Sequence, residues 1–172
     1  TDKGWSAMLL PLSIAVVGVI CSLLGSFLIR TKEGASQRDL LGALRKGTYS
    51  ATVLAAILAA PLTWFILGDM GVYFAILVGM LAGVAIGYFT EYYTSDTYKP
   101  TKKLADSTET GAATTIIGGI SLGMLSTAAP VIIVGIAIIV SFLAAGGSLN
   151  TADDQNYEAC FSRGLYGIGI AA

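Results

Sequence analysis

Histidine is absent from this chain of 172 residues, and cysteine occurs only twice, as Cys21 and Cys160. Because zinc and haem sites are built largely from histidine and cysteine ligands, we expect neither site within these residues. Cys21 lies in an apolar run and Cys160 in a polar loop, so a disulfide between them is not expected. A glycine-rich phosphate loop is also missing, which argues against a nucleotide-binding site.

Charged residues are scarce as well. They make up 12% of the chain, whereas hydrophobic residues make up 55%. The mean hydropathy is +0.75, and a soluble domain of this size has too little interior to bury so much apolar surface. The composition therefore predicts a polytopic membrane protein whose main partner is the lipid bilayer. No nucleic-acid partner is expected.

Four apolar runs are each long enough to cross a membrane as a helix, which takes roughly 20 residues at about 1.5 Å per residue. The predicted spans cover residues 7–29, 48–67, 72–93 and 111–145, and a further apolar run starts at residue 164. We expect an all-α fold, in which four antiparallel transmembrane helices and the start of a fifth form a single transmembrane region over residues 1–172. The missing initial methionine and the short final run predict that the chain is part of a larger protein.

Basic residues are concentrated in two of the loops between these spans. The chain has ten lysines and arginines in all. Eight of them fall in these two loops: Arg30, Lys32, Arg38, Arg45, Lys46, Lys99, Lys102 and Lys103. By the positive-inside rule, residues 30–47 and 94–110 are predicted to be cytoplasmic, so the first helix runs from outside to inside. We expect an integral protein of a prokaryotic cell (inner) membrane.

The two basic loops are expected to differ in local structure. In the first, Leu40, Leu41 and Leu44 are spaced as on one face of a helix, which predicts a short helix lying on the membrane surface. The second is predicted to be an irregular loop, and Ser107 and Thr108 near its end are predicted to cap the next helix.

Small residues recur at intervals of four in the apolar runs. Residues 51, 55 and 59 are alanines in the second run, and glycines follow the same spacing in the third and fourth. This spacing places small side chains on one helix face, where another helix can approach closely. The candidate residues for helix packing or a dimer contact are Gly79, Gly83, Gly87, Gly119 and Gly123.

The stretch from residue 91 to residue 130 contains polar residues in a specific order. The pieces are EYYTS at 91–95, Tyr98 with Pro100, ADS at 105–107, TGAAT at 110–114, GMLST at 123–127, and Pro130 with Val131. Taken together, this order resembles the membrane-integral inorganic pyrophosphatases, which are ion pumps driven by pyrophosphate hydrolysis. The final GLYGIGIAA, at 164–172, resembles the start of a helix in the same family.

The resemblance implies a parent with about sixteen transmembrane helices in two concentric rings, working as a homodimer. It places this chain mainly in the outer ring. It also implies hydrolysis of pyrophosphate with Mg²⁺ as cofactor, coupled to pumping of H⁺ or Na⁺, with K⁺ or Na⁺ as further cofactors. The groups that hold magnesium pyrophosphate are implied to lie on inner-ring helices of the parent, so no catalytic, cofactor-binding or metal-binding residue is assigned here, and the fragment alone is expected to be inactive.

For the residues that are present, the resemblance leads to two hypotheses. The first is that a short turn supports the neighbouring active site from outside by bracing the cytoplasmic helix ends; its residues are Glu91, Tyr92, Tyr93, Thr94 and Ser95. The second is that the long fourth helix contributes to the dimer contact through the face that carries Gly119 and Gly123.

Two other classes of protein remain open at this stage. A secondary transporter would also be helical and polytopic, but it is expected to have broken helices with polar residues at the membrane midplane, where these runs have almost no charge. A non-enzymatic membrane scaffold is the other alternative, and the expected truncation of the chain weighs against it.

Overall fold

The computed structural model of the chain describes residues 2–29, 36–147 and 154–172, and these ranges hold six α-helices and no β-strand. The helices are α1 (Asp2–Leu28), α2 (Gln37–Ile66), α3 (Met70–Thr94), α4 (Lys99–Ser107), α5 (Ala112–Ala144) and α6 (Asp154–Ala171). A single 3₁₀ turn, Thr108–Thr110, joins α4 to α5. The prediction of an all-α fold is confirmed.

Four of these helices, α1, α2, α3 and α5, are long and apolar enough to cross a membrane. Three of them contain an internal proline: Pro11, Pro61 or Pro130. Many large apolar side chains on these helices are exposed; Phe65, for example, is 92% exposed. Such surface is stable in contact with lipid tails or with further helices, and not in water.

The prediction of a separate surface helix between the first two spans is wrong, because residues 37–47 form the first turns of α2 itself. Ser36 and Asp39 form a capping box that starts α2 at Gln37, with the Ser36 side chain accepting the Asp39 backbone N–H. A capping box satisfies two backbone donors at a helix start, and α2 contains no proline before Pro61. Leu40 and Leu44 are exposed on this extension. The basic residues from 30 to 35 lie outside the described residues.

Two other boundaries also differ from the prediction. The second basic loop contains α4, whose N-cap residue Tyr98 has an extended backbone with φ −96° and ψ 158°. Pro100 lies in the first turn of α4, where a proline is tolerated because its missing N–H would have no partner within the helix. The last helix starts at Asp154, ten residues before the apolar run at 164, so Cys160 lies in a helix. Both cysteines are free thiols.

The chain divides into two compact units: Thr1–Met80 together with Ile139–Ala172, and Leu81–Ile138. The core of the first unit is a cluster of four buried side chains: Leu10 of α1, Ala59 of α2, and Val72 and Ile76 of α3. Tyr166 of α6 packs against this cluster, and its hydroxyl donates to the Ala7 carbonyl of α1 at 2.8 Å.

The turn between α2 and α3 is tight, as the predicted antiparallel arrangement of these helices requires. The Leu67 and Gly68 N–H groups donate to the Thr63 carbonyl at 3.0 and 3.3 Å. Gly68 has φ +69°, a conformation that glycine adopts without strain, and this residue turns the chain out of the helix. Beyond the turn, the Tyr73 hydroxyl lies 3.5 Å from the Ala56 carbonyl, so α3 runs back along α2.

Glycines allow the helices of the first unit to approach closely. A Cβ at Gly25 of α1 would lie 2.8 Å from the Ala51 Cβ of α2. A Cβ at Gly71 of α3 would lie 2.8 Å from the Ala144 carbonyl oxygen at the end of α5. A Cβ at Gly167 of α6 would collide with the Ala145 side chain. Dispersion contacts at such small-residue sites replace the hydrophobic driving force that lipid cannot supply.

Candidate functional site at the ends of helices α3, α4 and α5

The candidate support residues 91–95 form the last turn of α3 and its exit, within the second unit. The Ser95 N–H donates to the Glu91 carbonyl at 2.9 Å, which closes this turn. Glu91, Tyr92 and Tyr93 are half-buried, whereas Thr94 is exposed. The structure therefore brings these residues together at one helix end.

The aromatic rings at this helix end contact one another. The Tyr92 and Tyr93 rings lie 5.3 Å apart at an interplanar angle of 85°, and the Tyr92 and Tyr98 rings lie 5.2 Å apart. The first pair is edge-to-face, whereas the second is tilted at 46°. Aromatic pairs at such centroid distances stabilise by about 0.5–1.5 kcal/mol beyond the buried area. The Tyr92 contacts thus attach the N-cap residue of α4 to the end of α3.

Hydrogen bonds fix α4 against the end of α3. The Thr101 hydroxyl donates to the Tyr93 carbonyl at 3.2 Å, one of the carbonyls that the end of a helix leaves without an intrahelical partner. The Thr97 N–H donates to the Ser95 Oγ at 3.3 Å in the connecting turn. A short helix of nine residues is thereby held in place without a buried core of its own.

The predicted capping role of Ser107 and Thr108 is wrong. Their hydroxyls donate backwards, to the Leu104 and Ala105 carbonyls at 2.6 Å each, and so they finish α4 instead of starting α5. An N-cap requires an extended backbone, but Ser107 has φ −69° and ψ −15° because the chain is already helical there.

The start of α5 is set by Gly111, which has φ +128° and ψ +167°. Only glycine adopts this backbone conformation without strain, so the residue redirects the chain from the 3₁₀ turn into α5. The Thr114 hydroxyl lies 3.3 Å from the Ser107 carbonyl and 2.7 Å from the Thr110 hydroxyl. Threonines thus connect the first turn of α5 to the end of α4.

These three helix ends enclose a groove of about 420 Å³. Its walls come from the last turn of α3, one face of α4 and the first half of α5; the residues are Tyr92, Tyr93, Pro100, Lys103, Leu104, Ser107, Gly118, Ser121, Leu122 and Leu125. A Cβ at Gly118 would lie 3.1 Å from the Leu104 Cδ1, so α4 and α5 are in close contact at this point. Lys103 is the one charged residue that lines the groove.

The chemistry that this site can perform is limited by its residue types. Within the described ranges, no three His, Cys, Asp or Glu side chains come close enough together to hold a metal ion. The groove offers an ammonium group, hydroxyl groups and apolar carbon atoms. This arrangement can bind and position a group, but it does not contain the paired acid and base of a hydrolytic centre.

The five candidate packing glycines have different surroundings. A Cβ at Gly79 would collide with the Ala171 carbonyl at the end of α6, so α3 and α6 touch there through their backbones. The other four have no heavy atom within 4 Å of the Cβ position: Gly83, Gly87, Gly119 and Gly123. These four therefore leave open space on α3 and α5.

Sequence reasoning missed several glycines at helix contacts, namely Gly25, Gly71, Gly164 and Gly167. Gly164 of α6 lies against the Phe142 ring, which fills the space that a side chain would occupy. The signal was present for Gly25, because residues 47 and 51 on the facing helix are a glycine and an alanine. The sequence alone did not indicate which glycine faces which small residue.

The fold and this site define a polytopic helical membrane protein in which α4 packs against the end of α3 and the start of α5. The sequence profile of the family described as inorganic H+ pyrophosphatase matches residues 4–172. The chain therefore belongs to this family, and the resemblance inferred from its motifs is confirmed.

Individual relatives carry related names. The chain is 48% identical over 174 residues to a protein of Bacteroides thetaiotaomicron provisionally named a K(+)-stimulated pyrophosphate-energized sodium pump, with 100% of this chain and 23% of that protein covered. It is 35% identical over 168 residues to a K(+)-insensitive pyrophosphate-energized proton pump of Methanosarcina mazei, with 97% and 23% covered. It is 31% identical over 177 residues to a K(+)-stimulated sodium pump of Thermotoga maritima, with 94% and 21% covered. The chain thus spans about a quarter of the length of these relatives.

Proposed function

We propose that this chain is a structural segment of an ion-translocating membrane pyrophosphatase, which hydrolyses pyrophosphate to phosphate and pumps H⁺ or Na⁺ across the membrane. The observation that carries this proposal is the family match over residues 4–172, together with relatives named as pyrophosphate-energized pumps. In the longer protein, α1, α2, α3 and α5 act as outer scaffold helices. Their exposed apolar side chains contact lipid and the remaining helices of the parent.

The magnesium ions that pyrophosphate hydrolysis requires would be held elsewhere in the parent. Magnesium prefers carboxylate oxygens and water in an octahedral arrangement, and the described residues of this segment do not bring acidic side chains together in that way. The residues present therefore do not fit this metal, and no step of the hydrolysis is assigned to them.

The braced end of α3, α4 and α5 supports a positioning role. Glu91 and the following turn hold the end of α3, and the Thr101 hydrogen bond to the Tyr93 carbonyl holds α4 against it. A rigid arrangement of this kind fixes the ends of two long helices relative to each other. In the parent, these ends would support the neighbouring active site from the cytoplasmic side, with residues 30–47 and 94–110 on that side.

The transported ion and the K⁺ requirement are to be decided by experiment, since the relatives are named both as sodium pumps and as proton pumps. Mg²⁺-dependent release of phosphate from pyrophosphate is measured in membranes that contain the full-length protein, with and without Na⁺ and K⁺. A rate that rises with Na⁺ and K⁺ identifies a K⁺-stimulated sodium pump, and a rate that is independent of both favours proton pumping. Absence of phosphate release from the folded full-length protein would refute the proposal.

The role of Glu91 has a specific test. In the full-length protein, Glu91→Gln should lower coupled ion pumping or the yield of assembled protein, while the KM for pyrophosphate stays nearly unchanged, because the residue supports the site without touching the substrate. Glu109→Gln is the matched control, since Glu109 is exposed on the 3₁₀ turn. A large rise in the KM for pyrophosphate on Glu91→Gln would contradict a supporting role.

We further propose that the parent is a homodimer to which α5 contributes. Gly119 and Gly123 leave open space on this helix, as a close helix contact requires. Replacing each glycine with leucine should convert the dimer to monomer in size-exclusion chromatography with light scattering. A dimer that withstands both leucines would exclude this face from the contact.

A further inference from the structure

The depth of the groove between α3, α4 and α5 in a bilayer can be inferred by counting residues along α5. A core of about 30 Å takes about 20 residues of helix, so counting back from Ala144 along α5 places its boundary near Met124. Leu125 and Leu122 of the groove lie at this boundary, and Ser121 lies about 5 Å into the headgroup layer by the same helix rise. The groove therefore crosses the interface between polar and apolar lipid atoms.

Its lining combines apolar and polar residues. Leu104, Leu122 and Leu125 are apolar, while Lys103, Tyr92 and Tyr93 carry groups that can donate hydrogen bonds. The α4 lining residues 100, 103, 104 and 107 are spaced as one helix face, so α4 presents one stripe to the groove. Lys99, Lys102 and Lys103 are all exposed, and of the three only Lys103 lines the groove.

The positive charge of the groove favours an anionic lipid over a transmembrane helix as its occupant. Lys103 contributes one positive charge, and none of the other lining residues is acidic. A transmembrane helix seated here would have to bury the lysine ammonium, whereas a lipid phosphate would form a charge-assisted hydrogen bond with it. Basic pockets between transmembrane helices at headgroup depth bind anionic lipid headgroups.

We propose that this groove binds one anionic phospholipid, with its phosphate at Lys103 and its glycerol and upper acyl chain against Leu122 and Leu125. The cavity of about 420 Å³ lies within the size range of small-molecule sites, roughly 300–1,000 Å³. It holds the headgroup region, and the acyl chains continue into the bilayer. The site is independent of pyrophosphate hydrolysis, so its test needs no enzymatic readout.

Phosphatidylglycerol is the probe, and phosphatidylcholine of the same acyl chains is the zwitterionic comparison. Native mass spectrometry of the delipidated full-length protein measures the binding of each lipid over a titration. Lys103→Gln should weaken phosphatidylglycerol binding roughly tenfold, because it removes one charge-assisted hydrogen bond. Lys102→Gln removes the same charge one residue away, outside the groove, and should change binding less than about twofold.

Two further variants distinguish the alternatives. Ser121→Leu fills the groove without removing a charge and should abolish phosphatidylglycerol binding, while Lys103→Arg keeps the charge and should retain binding. Equal weakening by Lys102→Gln and Lys103→Gln would overturn the site in favour of diffuse surface attraction. Binding that survives Ser121→Leu would place the lipid elsewhere. Failure of the unaltered protein to bind either lipid, with loss of assembly on Ser121→Leu, would show that another helix of the parent occupies the groove.

Discussion

The contact between α1 and α2 provides a quantitative test of close helix packing. A Cβ at Gly25 would lie 2.8 Å from the Ala51 Cβ and 3.0 Å from the Gly47 carbonyl oxygen. The carbonyl belongs to the backbone of α2 and cannot rotate away, so Gly25→Ala must push the helices apart. Gly18 lies seven residues earlier on α1, where no atom is within 4 Å of the Cβ position, and it borders an apolar cavity of about 280 Å³.

The difference between the two substitutions isolates the packing energy. Replacing glycine with alanine inside a helix stabilises it by about 1 kcal/mol, and this contribution is the same at both positions. Overpacking at Gly25 costs about 1–3 kcal/mol, which Gly18 does not incur because its cavity accepts a methyl group. Gly25→Ala should therefore be less stable than Gly18→Ala by about 1–3 kcal/mol, roughly a 5- to 150-fold difference in the unfolding equilibrium.

The free energy of unfolding is measured by titrating the purified full-length protein with sodium dodecyl sulfate and following helix content by circular dichroism. The double variant Gly25→Ala with Ala51→Gly removes the nearest contact, so the double-mutant cycle should give a favourable coupling energy of about 1 kcal/mol or more. If Gly25→Ala and Gly18→Ala are equally stable, or if the cycle shows no coupling, the close approach of α1 and α2 at this point is refuted.

Three smaller perturbations test the local structure. Thr101→Val removes the hydrogen bond to the Tyr93 carbonyl and should speed amide exchange in residues 99–107 about fivefold, for a loss of about 1 kcal/mol; Thr94→Val, whose hydroxyl bonds only within α3, is the control. Ser36→Ala removes the capping box and should speed exchange in the first turn of α2 by a similar factor; unchanged exchange there would argue against a helix that starts at residue 37. Gly111→Ala places a side chain at φ +128° and should cost about 1–3 kcal/mol, seen as a lower melting temperature of the full-length protein; an unchanged melting temperature would mean that α5 does not start at this glycine.

The boundaries of α2 and α4 illustrate where sequence reasoning failed. The amphipathic spacing of Leu40 and Leu44 correctly predicted helix, but it gave no reason to join that helix to the following span. The sequence does contain a local signal for the start of α2, since Ser36 and Asp39 have the spacing of a capping box. This signal was recognised only once the start of the helix was known. For α4, the second basic loop was predicted to be irregular, although Pro100 is well suited to the first turn of a helix.

The sequence by itself determined that the chain is a helical membrane protein with four spans, and its motif order determined the family. Both follow from properties that are local or additive: the length and hydropathy of each run, and the order of residues along the chain. Only the tertiary structure decided that Gly79 packs against the Ala171 backbone while Gly83 does not, although the two residues share one helix face. It also decided that Lys103, and not Lys102, lines the groove. The physical reason is that a contact depends on how two helices are placed and rotated relative to each other, which spacing within one helix does not fix.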